Sequence, residues 1–198
     1  MSVLLIAGSP SEQSRSAALL DGVKQRLEQQ AGSRQLYIDR VQIRDLSPQA
    51  LLLADWNHAS IKRAIAQVES ASALVVATPV YKAAYSGVLK VFLDLLPQTA
   101  LKGKVVLPLA TGGSPHHMLA LDYALRPVLQ SLGAKHILPG VYASDSQIPK
   151  DEQGQYRISA EIDSRLDDAV HILLHEGLRL PVQPGFEPVA FESVQYSV

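Results

Sequence analysis

Between Val3 and Leu20 the chain runs VLLIAG, SPSEQS and RSAALL, and this stretch narrows what the remainder can fold into. The first piece is a strand of β-branched and aliphatic residues, far too short to span a membrane. RSAALL opens an amphipathic helix whose inner face continues through Leu20, Val23 and Leu27 at three- and four-residue spacing. A tight turn rich in glycine and hydroxyls joins the two. Such a junction is an anion site, because the unpaired N–H groups of the first helical turn and the positive end of the helix dipole converge on the loop. Ser9, Ser11, Ser14 and Ser16 add hydroxyl donors, and Arg15 adds a planar cationic fork suited to phosphate. Neither GxxxxGK(S/T) nor GxGxxG is present, so this is neither a Walker loop nor the dinucleotide fingerprint. On composition alone the turn reads equally as a phosphate cradle or as an ordinary strand-to-helix connection.

The same alternation recurs along the chain. A second strand is predicted over Gln35–Asp39, followed by a semi-extended path through Val41, Ile43 and Leu46 and a helical turn over Gln49–Leu53. Trp56 is expected in the core or as a lid. A helix follows over Ala59–Glu69 with Ile61, Ile65 and Val68 inward, and then the third strand, Ala73–Ala77, apolar throughout as when both sheet faces are covered. Pro79 is expected to stop that ladder, and Ser86 to cap a helix carrying Val88, Leu89, Phe92 and Leu96. Lys104–Ala110 reads as a fourth strand, His116–Ser131 as a helix, Ile137–Tyr142 as a fifth strand and Ala160–Leu178 as a last helix. Gly112-Gly113, after the fourth strand, either lets backbone approach a ligand closely or only makes a turn. Five strand–helix alternations imply a parallel sheet between helical layers, with the loops after strands one, three and four gathered at its carboxyl edge. Residues 1–178 are read as one domain, and the proline-rich 179–198 extension, with Phe186, Phe191 and Tyr196, as a strap or a frayed tail.

Composition excludes several classes. Apolar residues are 47% of the 198, enough for a real core, and the net charge of −1 gives no case for nucleic acid, whose binders need a concentrated basic face. Cysteine is absent, which removes disulfides, thiolate metal sites and thiol nucleophiles and fits a reducing cytoplasm. The start MSVLLIAGSP lacks the basic region and long apolar run of a secretion signal, and no run of apolar residues is long enough for a membrane span. A cytoplasmic protein is expected.

His171 and His175, with Asp167 four residues before the first, have metal-ligand spacing but fall on the polar side of the last helix, so a solvated face is preferred. His116-His117 diverge as neighbours on a helix and are given no acid–base role. Asp94 and Asp122 show no paired carboxylate, and the nucleophile elbow GxSxG is missing, so hydrolysis finds little support. One helix carries an oddity. Pro127 has no N–H for the Tyr123 carbonyl, so this helix must kink or widen to a π-type turn, unless it starts late with Pro127 in its first turn.

AGSPSEQSRSAALL, VATPVYKAAYSGVLKVFLDLLP, LPLATGG and DYALRPVL, in that order and spacing, resemble the flavodoxin-like NADPH-dependent FMN reductases, and within them the reductases of bacterial alkanesulfonate utilisation. The resemblance implies a flavodoxin-like three-layer α/β sandwich around a five-stranded parallel sheet of order 2-1-3-4-5. It implies FMN phosphate at Ser9, Ser14, Arg15 and Ser16, where the arginine usual in the family is replaced by Ser11 and Arg15 is the substitute. It places the isoalloxazine against Pro79, Val80, Tyr81 and Lys82, where Val80 and Lys82 stand for a frequent Glu and Asn, and against Gly112 and Gly113.

The implied reaction moves a hydride from C4 of NADPH to N5 of FMN without a side-chain base. Reduced FMN would pass to a partner monooxygenase that desulfonates alkanesulfonates. A homo-oligomer, dimer or tetramer, is implied too, with Tyr123 resembling a tyrosine inserted in a π-turn at a subunit interface. Because the Gly112-Gly113 loop leads into this irregular helix, Tyr123 is expected to help flavin leave. Two alternatives stay open: a quinone or azo reductase that retains FMN, and a flavodoxin acting only as an electron carrier. Such carriers are usually shorter and strongly acidic.

Overall fold

Apolar strands that begin side by side and are crossed by helices bury both sheet faces at once, and this organises the molecule. The computed structural model describes residues 1–31 and 35–178. Strand β1 (Ser2–Ala7) is followed by helix α1 (Arg15–Ala31), β2 (Tyr37–Gln42), α2 (Pro48–Leu52) and α3 (Ala59–Ser70). Then come β3 (Ala73–Tyr81), a two-residue β4 (Ala84–Tyr85), α4 (Gly87–Leu93), β5 (Val105–Gly112) and α5 (Arg126–Ser131). Two short strands, β6 (His136–Ile137) and β7 (Val141–Ser144), precede α6 (Ala160–Ile172).

The sheet order is β2-β1-β3-β5-β6, with β7 continuing along the same edge of β5. Among the described residues the pairings of β1 to β7 are parallel except the hairpin of β3 with β4. The predicted order 2-1-3-4-5 is therefore the observed one, with β5 as its fourth strand and β6 and β7 together as its fifth. Alternate strand residues face opposite layers. Leu4, Ile6, Leu74, Val76 and Val106 pack with α3, α4 and α5 on one side. Val3, Leu5, Val75, Leu107 and Leu109 pack with α1 and α6 on the other. Leu20, Val23 and Leu27 of α1, and Ile162, Leu166 and Val170 of α6, are all 0% exposed, so the helical periodicity marks the inner faces correctly.

Several boundaries depart from expectation. The second strand runs over Tyr37–Gln42 rather than 35–39, because β1 offers it partners from Ser2 to Ala7. Pro79 does not stop the third strand. β1 accompanies β3 only as far as Ala77, so beyond it β3 has one parallel neighbour and a missing donor there costs little. The fifth strand is broken in two. β6 pairs with Val105 and Val106 and β7 with Leu109 to Gly112, and the gap between lies where Pro108 faces a segment containing Pro139, neither of which can donate to a ladder.

The predicted 116–131 helix is three pieces: a 3-10 turn (Pro115–Met118), a π turn (Leu121–Leu125) and α5. In the π turn Arg126 N–H bonds the Leu121 carbonyl, five residues back, which absorbs the donor that Pro127 lacks. A second π turn, Leu173–Gly177, which periodicity does not reveal, ends the last helix. Trp56 is 55% exposed rather than in the core, with its indole N–H on the Leu95 carbonyl at 3.1 Å. The expected strap 179–198 lies outside the described residues. Among the described residues no helix is long and apolar enough to cross a membrane.

Candidate active site

The carboxyl ends of β1, β3, β5 and β7 all open at one edge of the sheet, and the loops leaving them meet there. Ser14, Arg15, Pro79, Val80, Tyr81, Gly112 and Gly113 line one cleft of about 200 Å³. Three chain segments far apart in sequence thus come together as predicted. Ser11, Gln13 and Thr111 complete these walls, and Asp145 and Tyr156 form the side that sequence reading missed.

At the helical end, Ser14 Oγ accepts from Ala17 N–H at 3.1 Å and so caps α1. Ser16 is buried, with Oγ 3.2 Å from Ser14 Oγ, and supports the loop from behind instead of lining the cleft. Ser9 is buried too, and its Oγ accepts from Ser11 N–H at 3.1 Å. The first turn of α1 contains no acidic residue, so nothing on that helix neutralises its positive end.

Arg15 is not a free fork. Its Nε donates to the Ile148 carbonyl at 3.0 Å, its guanidinium carbon lies 5.2 Å from the centroid of the Tyr156 ring, and Nη1 is 3.5 Å from Asp145 Oδ2. Lys150 Nζ is 5.1 Å from the same ring centroid. The segment after β7 therefore folds back over the N-terminus of α1.

At the other end, β3 and β4 form a hairpin with Tyr81 opposite Ala84 and only Lys82 and Ala83 between them. Both loop residues are left-handed, with φ of +50° and +64°. Non-glycine residues there cost about 1 kcal/mol or more each, a strain typical of loops held in place for a ligand. Lys82 is exposed at the hairpin tip and does not line the cleft, whereas Tyr81 is half exposed in its wall. A buried network fixes this hairpin to the first loop. Ser86 N–H donates to Thr78 Oγ1 at 3.0 Å, Ser86 Oγ donates to the Gly8 carbonyl, and Leu89 N–H donates to Ser86 Oγ at 3.1 Å, capping α4 as expected.

The two glycines after β5 differ in their surroundings. A Cβ on Gly112 would meet Tyr142 Oη at 2.8 Å and His117 Nδ1 at 3.2 Å, while one on Gly113 would find only Asp145 Oδ2 at 3.9 Å. Gly112 is thus close-packed and Gly113 faces open space. Tyr142 Oη donates to the Ser114 carbonyl at 2.5 Å, and burial, with Asp145 nearby, raises its pKa. His117 Nδ1 is buried without a partner.

A larger groove of about 440 Å³ between α1 and the 155–158 segment is bordered by Glu12, Asp21 and Asp163 and by Arg26 and Arg157, and both arginines are already paired with carboxylates. Asp94 is paired with Lys90 at 2.6 Å and Asp122 with Arg126 at 2.9 Å. The His171 and His175 rings lie 4.3 Å apart, but Asp167, the third residue of that spacing, is held by Arg26 at 2.7 Å. Among the described residues no group of three or more metal-ligating side chains occurs.

Residues 1–148 match the family model of the NADPH-dependent FMN reductases. An FMN reductase (NADPH) of Escherichia coli K12 is 45% identical over 170 residues, 86% of each chain. One of Pseudomonas putida KT2440 is 41% identical over 202 residues, the full length of both. The crystal structure of an apo NADH:FMN oxidoreductase superposes with a TM-score of 0.78 at 39% identity, over 91% of each chain. With the sheet order, the three converging loops and these relatives together, the chain belongs to the NADPH-dependent FMN reductase family, oxidoreductases of flavodoxin-like fold that work with FMN and NADPH.

Proposed function

We propose that this enzyme reduces free FMN with NADPH and supplies the reduced flavin to a partner monooxygenase, one that desulfonates alkanesulfonates. The observation that carries the reading is the cleft itself, whose two ends suit the two ends of FMN. The phosphate is held by the Ser14 hydroxyl, the N-terminus of α1 and Arg15, with Ser9 and Ser16 beneath them. The isoalloxazine lies against Pro79, Val80, Tyr81, Gly112 and Gly113, with Lys82 above them at the hairpin tip. The open space over Gly113 leaves room for such a ring on that side of the cleft. When bound, FMN supplies the hydride-accepting atom, and this chain's residues fix the phosphate and hold the ring accessible to nicotinamide. No side chain is required to move a proton.

Steady-state NADPH oxidation tests the reading. With excess free FMN, turnover should exceed that with quinones, and protein passed over a sizing column should lose its flavin. A protein that retains FMN and reduces quinones faster would be the alternative quinone or azo reductase.

We also propose that the enzyme is a homo-oligomer and that Tyr123 helps flavin leave. Met118, Leu119 and Tyr123 are 54%, 54% and 79% exposed on one segment beside the cleft, an apolar run suited to a second copy of this chain. The π turn that carries Tyr123 is irregular backbone next to the Gly112-Gly113 loop, where such turns often serve a site. Light scattering should give a mass well above the 21.4 kDa of one chain. Tyr123→Ala should alter FMN dissociation and turnover. A monomer, or a well-folded Tyr123→Ala variant with unchanged dissociation, would refute the corresponding claim.

A further inference from the structure

Among the described residues, Arg15 and Asp145 are the only charged ones lining the cleft, and they face each other. The Arg15 Nη1 to Asp145 Oδ2 distance is 3.5 Å, longer than the 2.7–2.9 Å of a charge-assisted hydrogen bond. Both side chains are partly open to solvent, at 31% and 47% exposure, so the pair is loose and exchangeable. Arg15 is meanwhile positioned by contacts that do not depend on Asp145, the Ile148 carbonyl and the Tyr156 ring. The carboxylate therefore sits where an anionic ligand of Arg15 would go, without being needed to hold Arg15 there.

We propose that Asp145 is a specificity-determining residue that acts as an internal competitor of the flavin phosphate. It occupies Arg15 in the free enzyme and repels the incoming dianion, which keeps FMN exchangeable. The inference rests on the phosphate placement proposed above. The α1 N-terminus and its serines attract the phosphate, with no acid in the first turn of the helix to oppose them. The opposing charge comes from a segment more than a hundred residues away in sequence, in the short turn after β7. A carboxylate whose only task was to fasten that segment would bond Arg15 closely, and it does not.

The test is a fluorescence titration of FMN and riboflavin against the flavin-free full chain, with circular dichroism as a check on folding. Asp145→Asn keeps the shape and removes the charge. It should tighten FMN roughly three- to thirtyfold, slow FMN dissociation in stopped flow, and leave riboflavin within about twofold. Asp145→Glu, which keeps the charge, should stay near wild type. Unchanged or weaker FMN binding in a folded Asp145→Asn protein, equal tightening of both flavins, or tightening in Asp145→Glu as well would overturn the inference. Ser14→Ala in the same titration separates the two levels. If it weakens FMN selectively while Asp145→Asn does nothing, the competitor role alone is wrong. If neither variant distinguishes FMN from riboflavin, the phosphate lies elsewhere and both readings fall.

Discussion

Replacing Ser86 with alanine is expected to lower the unfolding midpoint by roughly 5–15 °C, the largest stability effect of any polar substitution near the site. Ser86 is 0% exposed and its hydroxyl does two things at once, accepting the Leu89 N–H that begins α4 and donating to the Gly8 carbonyl. Removing an N-cap costs about 0.5–2 kcal/mol. Leaving a buried carbonyl unpaired costs a further 1–3 kcal/mol or so, and Gly8 is itself buried with its N–H on the Ala77 carbonyl at 2.8 Å. The losses fall on the contact that joins the first loop to the β3–β4 hairpin, so FMN affinity should fall with stability. Thermal unfolding followed by circular dichroism checks this. A midpoint within about 2 °C of wild type would mean that water or a shifted backbone replaces the hydroxyl.

Ser86 also shows what was legible from the sequence. Its role as a cap follows from a local pattern, a hydroxyl residue before an apolar run at helical spacing. Its bond to Gly8 bridges 78 positions and has no local signature. The same division holds elsewhere. The inner faces of α1 and α6 follow from periodicity, and the convergence of the loops after β1, β3 and β5 follows from parallel topology. Pro127 announced an irregular helix because a missing donor is a local fact, and the π turn at Leu121–Leu125 is its outcome.

What stayed hidden depends on neighbours. Pro79 is tolerated because β1 has already ended, and the last strand splits where Pro108 runs beside the segment that contains Pro139. Asp145 and Tyr156 enter the cleft because the chain after β7 doubles back across α1. Nothing at residues 145–156 alone indicates that Arg15 will be its partner.

The second large effect separates two adjacent residues that the sequence presents as equivalent. Gly112→Ala should destabilise the fold, because its Cβ would lie 2.8 Å from Tyr142 Oη, 3.2 Å from His117 Nδ1 and 3.3 Å from Val80 Cβ. Three packed neighbours leave little room to yield, and overpacking of this kind costs about 1–3 kcal/mol. The movement that relieves it would also break the Tyr142 bond to the Ser114 carbonyl, which anchors the loop beyond the glycines. Gly113→Ala should do the opposite. Its nearest non-adjacent atom would be 3.9 Å away and its φ is not left-handed, so the fold should be as stable as wild type or slightly more so. The added methyl enters the cleft instead, on the side proposed for the ring. A group of that size placed against a bound ligand costs roughly tenfold or more in affinity. FMN and riboflavin should lose it equally, since they share the ring and differ only in the phosphate. Unfolding curves and flavin titrations of the two variants decide the matter. If Gly113→Ala binds both flavins as wild type does, the ring does not lie over this glycine, whatever the loop's likeness to the family suggests.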